Sequence, residues 1–127
     1  MPEHSSYDYS IIRVVPRVER GECINVGVIL FCRTRRFLGT LIHLDEQRLL
    51  TLAPELDLDM VREQLEMIEL TCKGRPEAGN IGRMSLSERF HWLVSPRSTV
   101  VQPSPVHSGL CDDPEAALRH LLKSMVL

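Results

Sequence analysis

Hydrophobic residues dominate the first third of the chain in three runs separated by polar turns. The runs are Tyr7 to Val15, Cys23 to Cys32 and Phe37 to His43. Strict alternation in the second run predicts one face made of Ile24, Val26, Val28, Leu30 and Cys32, and a second made of Asn25, Gly27, Ile29 and Phe31. The short polar connection at residues 33–36 favours an antiparallel hairpin. We therefore predict a three-stranded meander with apolar residues on both faces.

Helical spacing replaces alternation after residue 44. Four helices are predicted, each opened by a residue that can cap a helix N-terminus: Asp45, Asp57, Ser85 and Asp113. The strongest pattern follows Asp57, with apolar residues every three or four positions until Gly74. Ser85 and Glu88 form a capping-box signature, and Pro114 follows the last cap at the first helical position.

The predicted fold is α+β, a single domain over residues 1–127 with an antiparallel meander of three to four strands and helices packed against it. The fourth strand is expected at Thr99 to Gln102, an edge position because prolines bracket it. Residues 73–84 and the rest of 95–109 are predicted to be loops. An exposed edge strand also allows a homodimer.

Composition is that of an ordinary globular protein, with 127 residues, 43% hydrophobic and 25% charged. No apolar run is long enough for a membrane helix, and residues 1–5 lack a signal-peptide pattern. These features, with four cysteines in no metal-binding spacing, predict a cytoplasmic protein with reduced thiols and no membrane partner. The net charge of -2 and the 5% aromatic content argue against a nucleic-acid partner.

Charge is distributed unevenly along the chain. Residues 11–43 carry six arginines against two glutamates, and residues 44–74 carry eight acidic side chains against three basic ones. Such opposed segments can form complementary docking surfaces.

The richest polar stretch lies between residues 97 and 109. Its candidate site residues are Arg97, Ser98, Thr99, Gln102 and His107. Hydroxyls, a guanidinium and an imidazole on a proline-stiffened loop can gather around a phosphate or carboxylate. The alternative is that these side chains only satisfy backbone groups of an irregular surface segment.

A second candidate cluster joins the first two strands and includes Arg17 and Arg20. Its alternating charges can grip a partner, or they can form a solvated turn whose ion pairs contribute about 0–1 kcal/mol each. Asn25 is an unusual polar residue within a strand. No metal-ligand, phosphate-loop or nucleophile-elbow pattern occurs, so we expect no metal and no cofactor.

Two stretches resemble a known family. YDYSIIRVVPR at residues 7–17 with ECINVGVILF at 22–31, and PRSTVVQPSPVH at 96–107, are similar to the bacterial family called domain of unknown function 3037. The resemblance covers nearly the whole chain and implies a bacterial, cytosolic, single-domain protein. It also implies a partner, because members are often encoded beside a protein similar to the HipA-like kinases. It implies no reaction.

Two functional hypotheses follow. The first is a non-enzymatic interaction or accessory module, a partner of a HipA-like kinase, with contacts from Arg13, Arg17, Arg20, Asn25 and Arg97. The alternative is an enzyme or sensor that binds a phosphorylated small molecule or nucleotide through the loop from Arg97 to His107, with His107 as general acid/base. Both hypotheses assume that the two polar stretches share one surface in the folded protein.

Overall fold

The computed structural model describes residues 4–127, so residues 1–3, on which the expectation of no signal peptide partly rests, lie outside it. The strands are β1 (Ser5–Val14), β2 (Ile24–Cys32), β3 (Phe37–Ile42), β4 (Val101–Pro103) and β5 (His107–Cys111). The helices are α1 (Glu46–Leu52), α2 (Leu58–Lys73), α3 (Leu86–Leu93) and α4 (Pro114–Met125). Short 3-10 turns occur at Val18–Arg20, Pro76–Ala78 and Ile81–Arg83. The predicted α+β class is confirmed, with five strands rather than three to four.

The sheet is antiparallel and β1 is its central strand. Its order is β3-β2-β1-β4, and β5 also pairs with β1, beyond the end of β4. The predicted meander of the first three strands is therefore confirmed. The edge strand predicted at Thr99 to Gln102 is present but displaced to Val101–Pro103. The strand β5 lies in a segment predicted mainly as loop. The sequence did not indicate it, because β5 is mostly exposed and pairs with β1, which is remote in sequence.

Ser104 joins the two short strands to β1 where the pairing passes from β4 to β5. Its backbone N–H donates to the Ile11 carbonyl at 2.8 Å, and its Oγ accepts the Ile11 N–H at 2.8 Å. Ser10 Oγ donates to the Ser104 carbonyl at 2.8 Å, and both serines are buried. A serine side chain thus replaces a missing strand hydrogen bond in the interior.

A β-bulge in β2 corrects the predicted assignment of residues to faces. Ile12 pairs with Gly27 but the next residue, Arg13, pairs with Asn25, so Val26 is the extra residue. The strict alternation predicted for β2 is therefore wrong across this point. Ile24 and Val26 share a core with Ile29 and Phe31, not with Val28, Leu30 and Cys32.

Two hydrophobic cores lie on opposite faces of the sheet. Helices α1, α2 and α3 cover one face with Leu49, Val61, Leu65, Phe90 and Leu93. Helix α4 covers part of the other face with Leu118 and Leu121. The four predicted caps each accept a backbone hydrogen bond, and the capping box of Ser85 and Glu88 is complete. Within residues 4–127 no helix has the length and apolarity needed to span a membrane.

The four cysteines are free thiols, and they differ in exposure. Cys32, Cys72 and Cys111 are buried, as expected for small hydrophobic residues. Cys23 is exposed, although it adjoins an apolar run, because it precedes β2 and lies in the turn. Burial raises the pKa of the Cys72 thiol to about 12.

Candidate functional site

A groove on the sheet face that α1, α2 and α3 cover holds part of the predicted site. Its floor comes from β1, β2 and β4, and its wall from α2, α3 and the segment that leaves α3. The cavity measures about 250 Å³ and is mostly apolar. Three predicted site residues border it: Arg97, Thr99 and Gln102. We call it the β4 groove.

Arg97 is held in place at the rim of this groove. Its guanidinium carbon lies 5.1 Å from the centroid of the Trp92 ring, within cation–π range. Nη2 donates to the Trp92 carbonyl at 2.8 Å and Nε donates to the Ser95 carbonyl at 3.3 Å. Within residues 4–127 no carboxylate forms an ion pair with Arg97. The guanidinium is therefore positioned by backbone oxygens and keeps its charge available to an acidic group.

Thr99 and Ser98 lie between this arginine and β4. The Thr99 hydroxyl donates to the Val101 carbonyl at 2.7 Å, which folds the bend before the strand. Ser98 is exposed beside it. For Thr99, the observed hydrogen bond matches the local backbone role that the sequence left open as an alternative.

Arg13 and Asn25 lie on the sheet face opposite the β4 groove. Arg13 is in register with Asn25 on one side and with Gln102 on the other. Because Ile12 and Val14 point into the core that α1, α2 and α3 cover, alternation along β1 places Arg13 on the α4 side. Asn25 Nδ2 donates to the Met125 carbonyl at 3.0 Å, near the end of α4, and Arg13 Nε is buried without a hydrogen-bond partner.

The turn between β1 and β2 is a separate surface. Arg17 forms an ion pair with Glu55 at 3.3 Å, and Arg20 forms one with Glu22 at 2.8 Å. All four side chains are substantially exposed, so each pair contributes about 0–1 kcal/mol. Both arginines border a small polar depression with Leu52 and Ala53 from the end of α1.

His107 lies at the other end of the sheet. It is exposed on β5 and pairs with Tyr9, whose ring centroid is 5.6 Å away. The register places it four β1 residues from Arg13, roughly 13 Å along the strand. The pKa of Tyr7, whose ring centroid lies 6.0 Å from that of Tyr9, is raised mainly by burial and secondly by the Tyr9 hydroxyl. Arg97 borders the β4 groove and Arg17 borders the depression at the turn, so Arg97, His107, Arg13 and Arg17 do not line one pocket.

Sequence analysis missed the apolar residues that give the β4 groove its character. Trp92 and Met67 are 39% and 40% exposed at its rim, although each falls within a regular helical pattern. The available signal was the lone tryptophan five residues before Arg97. Its meaning depended on the packing of α2 and α3 beside β4, which no local pattern specifies.

Across the described residues, no three histidine, cysteine or acidic side chains are grouped so that they could hold a metal ion. Comparison with known proteins finds no match among curated proteins and none among solved structures. A family model does match residues 9–126, and its description is a protein of unknown function, DUF3037. The match includes both stretches that carried the sequence resemblance, except Tyr7 and Asp8 at the start of the first, and the chain belongs to the DUF3037 family.

Proposed function

We propose that this protein is a non-enzymatic interaction module and that the β4 groove is its docking site. The observation that supports this most directly is an open apolar groove rimmed by a half-exposed tryptophan, a methionine and a fixed arginine. Tryptophan, methionine and arginine are enriched in protein interfaces, and tryptophan and arginine dominate their binding energy. Scattered exposed apolar residues need no such explanation, but here they border one concave site.

The chemistry of the groove indicates the kind of segment it accepts. An apolar side chain can fill the space above Ile12, Ile29 and Val101, and a carboxylate can reach Arg97. The Arg97 guanidinium is already oriented by two carbonyl oxygens, so little conformational entropy is lost on binding. The proposed ligand is therefore a protein segment with an apolar anchor next to an acidic residue.

The proposed partner is the HipA-like kinase implied by the family resemblance. In this arrangement the kinase performs phosphoryl transfer and the present chain is an accessory subunit. The alternative, a phosphate- or nucleotide-binding enzyme or sensor, has less support. Such a ligand needs several charges at one place, whereas His107, Arg13 and the pair Arg17 and Arg20 lie on other parts of the surface.

Co-expression with the neighbouring kinase, followed by size-exclusion chromatography and titration of the purified proteins, tests the proposal. Trp92→Ala and Arg97→Ala are each expected to weaken binding by about 30-fold, as at an interface hot spot. Arg83→Ala is the matched control, because Arg83 is exposed and lies outside the groove. Independent elution of the wild-type proteins at micromolar concentration contradicts a stable complex. Binding that survives both groove variants contradicts the assigned site.

A further inference from the structure

Within residues 4–127, no strand pairs with the outer edge of β3. His43 N–H donates to the Val26 carbonyl at 2.7 Å, which fixes the hydrogen-bonding phase between β2 and β3. In an antiparallel pair this phase alternates, so the backbone groups of Leu38, Thr40 and Ile42 point away from β2. The strand contains no charged residue and no proline, the devices that usually protect a sheet edge.

A groove runs along this edge between two helices. Its volume is about 460 Å³, and its walls are the C-terminal part of α2 and the N-terminal part of α4. Each wall has one acidic and one basic residue four positions apart, Glu69 with Lys73 and Glu115 with Arg119. None of these four side chains forms an ion pair among residues 4–127.

The charges are self-complementary under two-fold symmetry. A two-fold axis perpendicular to the sheet places α2 beside the α2 of a second copy, in the opposite direction, and likewise for α4. When the axis is level with the middle of each pair, Glu69 of each copy faces Lys73 of the other, and Glu115 faces Arg119. A wall with charges of one sign would repel its own copy, so this pattern favours a second copy as the occupant.

We propose that two copies of this chain pair antiparallel through β3 and form one continuous sheet. Placing Thr40 on the two-fold axis pairs it with its own counterpart and pairs Leu38 with Ile42. All three outward-facing residues then exchange backbone hydrogen bonds with the second copy. The interface lies on the opposite edge of the sheet from the β4 groove, so it leaves the proposed partner site open.

Sedimentation equilibrium of the full chain from about 1 to 100 µM tests the proposal, and a dimer is expected in this range. Glu69→Lys and Lys73→Glu each place like charges opposite one another and are expected to weaken the dimer by roughly tenfold or more. The double variant Glu69→Lys/Lys73→Glu restores the opposite-charge contacts and the dimer. A dimer that ignores both single reversals overturns the proposal.

Two further variants test the strand edge itself. Thr40→Pro removes an outward N–H and is expected to abolish the dimer; an edge strand tolerates proline at such a position. Circular dichroism and the melting temperature verify its fold, and the charge variants retain the test if it does not fold. Leu110→Lys, on the opposite edge, is the control. A monomer at all concentrations, or a dimer lost only in Leu110→Lys, overturns the proposal, and neither outcome bears on the β4 groove.

Discussion

Replacing Ser104 with alanine is expected to destabilise the protein by more than the net contribution of one ordinary hydrogen bond. In the wild type, Ser104 Oγ accepts the Ile11 N–H at 2.8 Å, and Ser104 is only 2% exposed. Alanine leaves that backbone N–H without an acceptor in the middle of the sheet. An unsatisfied buried donor costs about 1–3 kcal/mol, more than the net contribution of an ordinary hydrogen bond. The backbone bond from Ser104 N–H to Ile11 is retained, so the loss falls within this range.

Urea denaturation followed by circular dichroism measures this loss, provided that unfolding is two-state. For a domain of this size, 1 kcal/mol corresponds to roughly 3–4 °C in melting temperature. Ser108→Ala is the matched control, because the Ser108 hydroxyl donates to Asp8 at 2.7 Å but is exposed to solvent. The control is expected to change stability by less than about 0.5 kcal/mol. If Ser104→Ala is equally neutral, the interpretation of Ser104 as an internal strand connector is refuted.

Two more predictions concern the C-terminal end of α2, where Arg89 of α3 binds its carbonyl groups and Cys72 is buried. Arg89 donates to the carbonyls of Met84, Thr71 and Cys72 at 2.8–3.1 Å, so Arg89→Met is expected to lower the free energy of unfolding by about 2–4 kcal/mol. Urea denaturation measures this loss, with Arg75→Met as the control at an exposed arginine. A loss below about 1 kcal/mol contradicts the role of Arg89. The folded-state pKa of Cys72, about 12, is above the unfolded value of 9.0, so the unfolded state loses its proton first and stability is expected to fall as pH rises through that window. Stability curves at pH 8 and pH 10 for wild type and Cys72→Ala verify the sign, and equal slopes for the two proteins contradict it.

The candidate site shows why sequence reasoning found residues but not their grouping. Arg97, Thr99 and Gln102 border one groove because β4 is hydrogen-bonded to β1 beside α2 and α3. His107 comes only five residues after Gln102, but the passage through Ser104 moves it to another pairing with β1. Closeness in sequence therefore did not give closeness in space. The groove's apolar wall was concealed because Trp92 and Met67 also fit ordinary helix patterns.

Local sequence determined the helix starts, since capping residues act on backbone groups only two or three positions away. It also determined the first three strands and their meander, because β-rich runs joined by short turns pair with their neighbours. Only the tertiary structure decided the bulge at Val26, the pairing of β4 and β5 with β1, and the place of β3 at the end of the strand order. These features depend on contacts between residues far apart along the chain. The entropy cost of bringing such residues together is offset only when the whole sheet forms.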